Sequence, residues 1–235
     1  MTCELRADCD KSRKIWERTS AAFRLTLAAV PAAVTQRSGE LRYRLRCIDK
    51  LDYPFKGDER LLDVGCGNGG VAGLLRSRVG EVVAVDVEPS EDWEHVDGVT
   101  FAVANAEQLP FGDGEFDLVH SKDSLHHMEH PETALAEYHR VLKPGGMALI
   151  VEANRYNPVF FVHMTKMLGH EHFTRSRFQR LVRGAFRDVR FGWFEARYVP
   201  QAERFREAQE RVEELLERTP GYSRLAAYNY AVVSR

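Results

Sequence analysis

From Arg60 onward, short apolar runs alternate with longer amphipathic ones. This is the pattern of βα units on a parallel sheet, whose strands are buried on both faces. Residues 61–64, 81–87, 99–103, 116–120 and 147–152 are the predicted strands. Between them, residues 71–79 and 131–142 carry helical spacing, and Pro131 opens the second helix where its missing N–H is not needed. Residues 143–146, Lys-Pro-Gly-Gly, read as a turn. The tail has a different rhythm. Residues 158–168 are rich in Phe and Met, and 175–186 form a basic helix. Then come a strand over 189–199, a helix over 203–218 and a last strand over 226–234. The last two strands are expected to pair as a hairpin around that helix. Ahead of Arg60, Ile15, Trp16, Thr19, Phe23, Leu27 and Val30 repeat at helical spacing until Pro31 stops them. Leu41, Leu45 and Ile48 mark a second helix, with Arg42, Arg44 and Arg46 on its other sides.

With 235 residues, 44% hydrophobic and 29% charged, the composition suits one sizeable globular α/β domain. A formal charge of −2 gives no global reason to expect nucleic acid or an anionic membrane as partner. Cys3, Cys9, Cys47 and Cys66 are scattered without metal-type spacing and read as reduced thiols of a cytoplasmic protein. The apolar stretch over 21–34 is broken by Arg24 and Pro31, too short and interrupted to span a bilayer. A soluble protein without a signal peptide is the expectation.

The chemistry concentrates in Leu62-Asp63-Val64-Gly65-Cys66-Gly67-Asn68-Gly69-Gly70, which leaves a strand and enters a helix. Glycine suits such a loop because a side chain would keep a ligand from the backbone and resist the turn's dihedrals. Asp86 ends the second strand 21 residues after Gly65, where a carboxylate can accept from both hydroxyls of a ribose. Gly65, Gly67 and Gly70 also satisfy G-x-G-x-x-G, so a nicotinamide or flavin enzyme has to be weighed. Asp63 separates the two readings. A carboxylate beside the loop would repel a diphosphate and attract an ammonium group.

At this point the residues resemble a known family. LLDVGCGNGG, VVAVDVEP, NAEQLPF, FDLVHSKDSLHHMEHPETALAEYHRVLKPGG and MALIVEAN, in that order, are similar to class I S-adenosylmethionine-dependent methyltransferases. The nearest subgroup holds the ubiquinone and menaquinone biosynthesis enzymes and many small-molecule methyltransferases. The resemblance covers about residues 60–152. It implies a Rossmann-like α/β fold, with a seven-stranded, mostly parallel sheet, helices on both faces and a reversed last strand. It also implies an N-terminal helical lid over 1–56, carrying Tyr43, ahead of a cofactor-binding domain over 57–235 with a substrate-pocket insert at 154–174.

The resemblance places the methionine part of S-adenosylmethionine on Asp63, Gly65, Cys66 and Gly67, with Asn68 beside them. It places the ribose on Asp86, with Val87 against the adenine. The adenine edge falls to Asn105 and Ala106, where many members carry Asp in place of Asn105. An amide oxygen there can still accept from an adenine amino group. Ser121 stands where the family offers a backbone carbonyl near the end of strand four, and Cys66 is a family position rather than a reactive thiol.

Methyl transfer is an in-line displacement, so the protein's main contribution is to hold acceptor and methyl group at attack distance with water excluded. A hydroxyl or protonated amine acceptor also needs a base. His126 and His127 follow strand four, the sheet edge where the family places its reacting groups, and His126 is the preferred candidate. A Leu-His-His run there also recurs as a structural element. His163, with His170 and His172, lies in the insert and is a second candidate base. His126, His127, Glu129 and His130 invite a metal reading, as do His163, His170, Glu171 and His172, but neither group has a zinc signature and none is expected. Phe160, Phe161, Met164, Met167 and Leu168 would give the acceptor an apolar wall, with core packing as the plain alternative.

Arg175, Arg177, Arg180, Arg183, Arg187 and Arg190 could grip RNA or an acidic substrate. The simpler expectation is a solvated face balanced by the acidic helix over 203–217. The sequence therefore points to methylation of a small-molecule acceptor by a monomer or homodimer, with no nucleic-acid or membrane partner. The alternatives are an RNA or protein methyltransferase and a non-catalytic cofactor-binding partner protein.

Overall fold

The computed structural model describes residues 35–162, 172–198 and 205–235. Strands β1 (Arg60–Val64), β2 (Glu81–Asp86), β3 (Val99–Val103), β4 (Phe116–Lys122), β5 (Leu142–Ala153), β6 (Asp188–Phe194) and β7 (Tyr228–Ser234) form a single sheet in the order β3-β2-β1-β4-β5-β7-β6. The first five run parallel, and β7 lies antiparallel to both β5 and β6. The order reverses between β1 and β4, the switch point outside whose carboxyl ends open α/β sheets bind their ligands.

Helices α1 (Thr35–Asp49) and α2 (Gly70–Leu75) cover one face through Ile48, Ala72 and Leu75, which pack on Leu61, Val82 and Leu118. Helices α3 (Pro131–Val141) and α4 (Arg175–Ala185) cover the other face. There Ala134, Tyr138, Phe178 and Val182 meet Leu62, Val64, Val119 and Ile150. Helix α5 (Arg206–Arg218) connects β6 to β7, so the expected hairpin around a helix is present.

Boundaries differ from the sequence reading where apolar periodicity outlasts the element. Helix α2 stops at Leu75, and the backbone then tightens, with Arg78 N–H donating to Leu75 carbonyl at 2.8 Å. Val79 is still buried, which prolongs the apolar pattern. The Lys-Pro-Gly-Gly turn is a bulge inside β5: Phe116 pairs with Leu142, Leu118 already pairs with Met147, and Gly145 takes φ +76°. Strand β6 ends at Phe194, five residues short of the predicted limit. The predicted helix over 15–30 lies outside the described residues, as do residues 163–171 and 199–204.

One sequence expectation is overturned. The acids of α5 do not balance the arginines of α4. Glu213, buried on α5, accepts from Arg46 of α1 at 2.7 Å, from Gln209 and from the Arg197 backbone. Glu217 binds Lys50 just beyond α1. The sheet order puts β7 and β6 beside β5, so the helix joining them lands against α1, while α4 packs on α3. Arg177, Arg180, Arg183 and Arg187 remain exposed, with Arg177 over Phe173 and Arg183 over Phe191.

Candidate active site

The loop from β1 to α2 needs glycine at two positions for different reasons. Gly65 has φ +73°, and a Cβ there would lie 2.3 Å from Ser124 Cβ, so the loops after β1 and β4 touch. Gly67 has φ +53° with open space where a Cβ would stand, leaving the backbone accessible from outside. Its amide donates to Asp86 Oδ2 at 2.8 Å, and its carbonyl accepts from Trp93 Nε1 at 2.7 Å. Trp93 in turn stacks on Phe101 with centroids 4.9 Å apart. Trp93 lies outside any motif, and nothing in the sequence marks it.

Asp63 is 2% exposed at the carboxyl end of β1. Its Oδ1 lies 2.7 Å from His120 Nδ1, and its Oδ2 is buried without a hydrogen-bond partner. A buried acceptor left this way costs about 1–3 kcal/mol, which a donor, best of all a cationic one, would recover. Asp86 is half-buried and keeps acceptor capacity beyond its bond from Gly67 and a long one from Glu88 N–H. Val87 next to it is 63% exposed, an apolar surface at the rim. Cys66 is buried, and desolvation followed by the charges of Asp63 and Asp86 pushes its thiol far above the ordinary value. That suits a packing role.

Asn68 is tied to the helix above. Its Oδ1 accepts from Arg44 Nη1 at 3.1 Å and from Gly70 N–H at 3.2 Å, so α1 reaches the glycine loop. Asn105 is exposed, and its Oδ1 accepts from Glu107 N–H at 2.9 Å, closing an Asx-type turn. One lone pair of that oxygen is therefore already committed. Ala106 is buried in the core beneath. Ser121 is fully buried in β4. Its hydroxyl lies 2.6 Å from Ser124 Oγ and accepts from Tyr138 of α3 at 3.2 Å.

After β4 the chain turns through Asp123, at φ +53°, into a single helical turn, Leu125–His127. His126 Nδ1 lies 2.7 Å from Glu152 Oε2, and its side chain is 3% exposed. Glu152, completely buried at the end of β5, also accepts from the Ser124 and Leu125 amides through Oε1. Burial lowers the affinity of His126 for a proton. The hydrogen bond and charge of Glu152, with Asp123, outweigh it and leave the imidazole pKa above its ordinary value. Glu152 itself is raised, chiefly by burial and against the pull of His126. His127 is exposed, its ring centroid 4.0 Å from that of His126. His172 packs its buried ring with its centroid 4.4 Å from that of His126. His163, like Met164, Met167, Leu168 and His170, lies outside the described residues. Among the described residues, no group of three or more His, Cys, Asp or Glu side chains is placed to hold a metal ion.

Beside this pair, Lys122 is enclosed by Tyr43 of α1 and Tyr228 of β7, and it is paired to Asp123. The two tyrosine hydroxyls are hydrogen-bonded to each other, which fastens α1 to the start of β7. Phe160 packs edge-on against Tyr228 with centroids 5.4 Å apart.

Residues 62–150 match the family model described as a methyltransferase domain. Over that stretch the chain is similar to methyltransferase domains, and curated methyltransferases are among its relatives. An uncharacterized methyltransferase of Synechocystis is 37% identical to it over 122 residues, 50% of this chain and 57% of that protein. The ubiquinone/menaquinone biosynthesis C-methyltransferase UbiE of Xanthomonas oryzae is 35% identical over 130 residues, 48% of this chain and 51% of its own length. The chain thus spans little more than half the length of these curated relatives. A SAM-dependent methyltransferase structure from Thermotoga maritima superposes with TM-score 0.61 at 19% identity, covering 94% of this chain and 98% of that one. At that identity the likeness shows the fold of the methyltransferase domain and nothing finer. Among the described residues no helix is long and apolar enough to cross a membrane.

Proposed function

We propose that the protein binds S-adenosylmethionine in the crevice above β1, β2 and β4 and transfers its methyl group to a small-molecule acceptor. The observation that carries this reading is the buried Asp63 carboxylate, with one oxygen unsatisfied at the root of an accessible glycine loop. That position suits a cation and opposes a diphosphate. The orphaned oxygen, the open backbone at Gly67 and the half-buried Asp86 fit the cofactor's ammonium, methionine chain and ribose in turn. Gly65, Cys66 and Asn68 shape the loop, Val87 offers apolar contact to the adenine, Ala106, its side chain in the core, offers its backbone there, and Asn105 offers the second lone pair of its oxygen. Ser121 contributes a backbone carbonyl. Helix α1, with Arg44 and Tyr43, covers the site as the described part of the lid expected over residues 1–56.

Bound there, the sulfonium supplies an electrophilic methyl group. The chain's own residues hold, orient and deprotonate. Glu152 orients His126 through Nδ1 and stabilises the imidazolium, so Nε2 takes the proton from a hydroxyl or ammonium acceptor. His127, exposed beside it, and His163 in the insert are the other candidate bases. Relatives named as ubiquinone/menaquinone biosynthesis C-methyltransferases support a small-molecule acceptor, and Phe160 against Tyr228 supports an apolar one.

Calorimetric titration with S-adenosylhomocysteine and, separately, with NAD tests the cofactor. Heat with the first and none with the second is expected, and the reverse would overturn the reading. Labelled methyl transfer to a panel of quinols, phenols and amines, set beside total RNA and bulk protein, tests the acceptor. Label in RNA or protein alone would replace it.

A further inference from the structure

Asp63 and His120 face each other across neighbouring parallel strands, in register, on the face covered by α1 and α2. The preceding pair on that face is Leu61 and Leu118, both fully buried. The polar pair therefore marks the level at which the apolar floor of the sheet gives way to the crevice. Both side chains are almost entirely buried, and the 2.7 Å contact from His120 Nδ1 is the hydrogen bond the Asp63 side chain makes. Asp63 Oδ2, equally buried, has none. A histidine that donates Nδ1–H while neutral leaves the pair with the carboxylate's negative charge. One oxygen is pinned and the other has no partner. A carboxylate held by two donors, or by an arginine, would be neutralised or fully occupied.

We propose that His120 is a positioning residue for the cofactor's amino-acid end: its bond to Oδ1 sets the Asp63 carboxylate so that Oδ2 receives the ammonium group. The assignment rests on the adenosylmethionine reading above. His120 has no part in the transfer itself. It acts by removing the rotational freedom of Asp63, so that the ammonium meets an acceptor already in place.

A histidine serving only to satisfy a buried aspartate would support the whole cradle equally. One acting on the ammonium would discriminate between ligands. S-adenosylhomocysteine carries the amino acid, whereas 5′-methylthioadenosine keeps the nucleoside and thioether without it. Calorimetry with both ligands is therefore the experiment, on the intact chain and on His120→Leu and His120→Asn. In the leucine variant, S-adenosylhomocysteine should bind at least tenfold more weakly while methylthioadenosine stays within twofold. The asparagine variant should recover most of the loss, because its amide N–H stands about where Nδ1–H stood. Should the leucine variant lose its fold by far-UV dichroism, His120→Val, β-branched as a strand prefers, carries the same readout.

Unchanged S-adenosylhomocysteine affinity in the apolar variants would overturn the proposal, and so would equal losses for both ligands. Failure of the unsubstituted protein to bind either ligand would overturn the cofactor reading itself. That outcome is distinct from wild-type binding with no selective loss.

Discussion

His126 Nδ1 and Glu152 Oε2 lie 2.7 Å apart, a bond that joins the turn after β4 to the end of β5. Glu152 is fixed from behind by two backbone amides, so the carboxylate cannot rotate away from the ring. An imidazole oriented at one nitrogen by a buried acid is what the proposed general base requires.

His126→Ala should lower turnover by about 10²–10⁴-fold, the range for a positioned base, while S-adenosylhomocysteine affinity changes little. Single-turnover methyl transfer beside calorimetry checks this. A wild-type rate in the variant would remove His126 from the mechanism.

The pH profile follows from the same bond. In the proposed mechanism the neutral imidazole is the active form, and Glu152 with Asp123 holds its pKa above the ordinary value. The acid limb of kcat/KM should therefore lie above the range of a free histidine, with activity rising as pH rises through it. Glu152→Gln removes the charge that favours the imidazolium, so the limb should move to lower pH while the plateau rate falls. A limb that stays in place would separate Glu152 from the titrating group.

Asp86→Ala should weaken S-adenosylhomocysteine by about ten- to a hundredfold, the worth of hydrogen bonds to a charged acceptor. Unchanged heat and affinity would show that the ribose sits elsewhere.

Gly65→Ala introduces a Cβ 2.3 Å from that of Ser124 at a backbone φ of +73°. The β1 and β4 loops must then separate. Cofactor affinity should fall below detection, even in protein that keeps native far-UV dichroism. Binding at wild-type strength would mean the two loops have room to spare.

Glu213→Ala leaves Arg46 without its buried acid and frees the Arg197 and Gln209 donors. A loss of about 2–4 kcal/mol is expected, seen as a fall of ~5 °C or more in Tm. The leucine-to-alanine change at exposed Leu215 on the same helix is the control, with a shift near zero.

The sequence alone carried the order of strands and helices, the glycine loop and the acid 21 residues beyond it, because each is written in local periodicity or in contiguous residues. It also placed His126 just after the fourth strand. Tertiary structure alone decided which side chains meet. Asp63 finds His120, 57 positions away, only because β4 lies beside β1, and Glu152 reaches His126 only because β5 lies beside β4. The acidic helix shows the same limit. Its spacing revealed a polar face, but the sheet order turned that face toward Arg46 and Lys50 rather than toward the arginines of α4. Periodicity encodes which face of an element is buried. The partner across that face is set by strand order and register, which depend on contacts far apart in the chain.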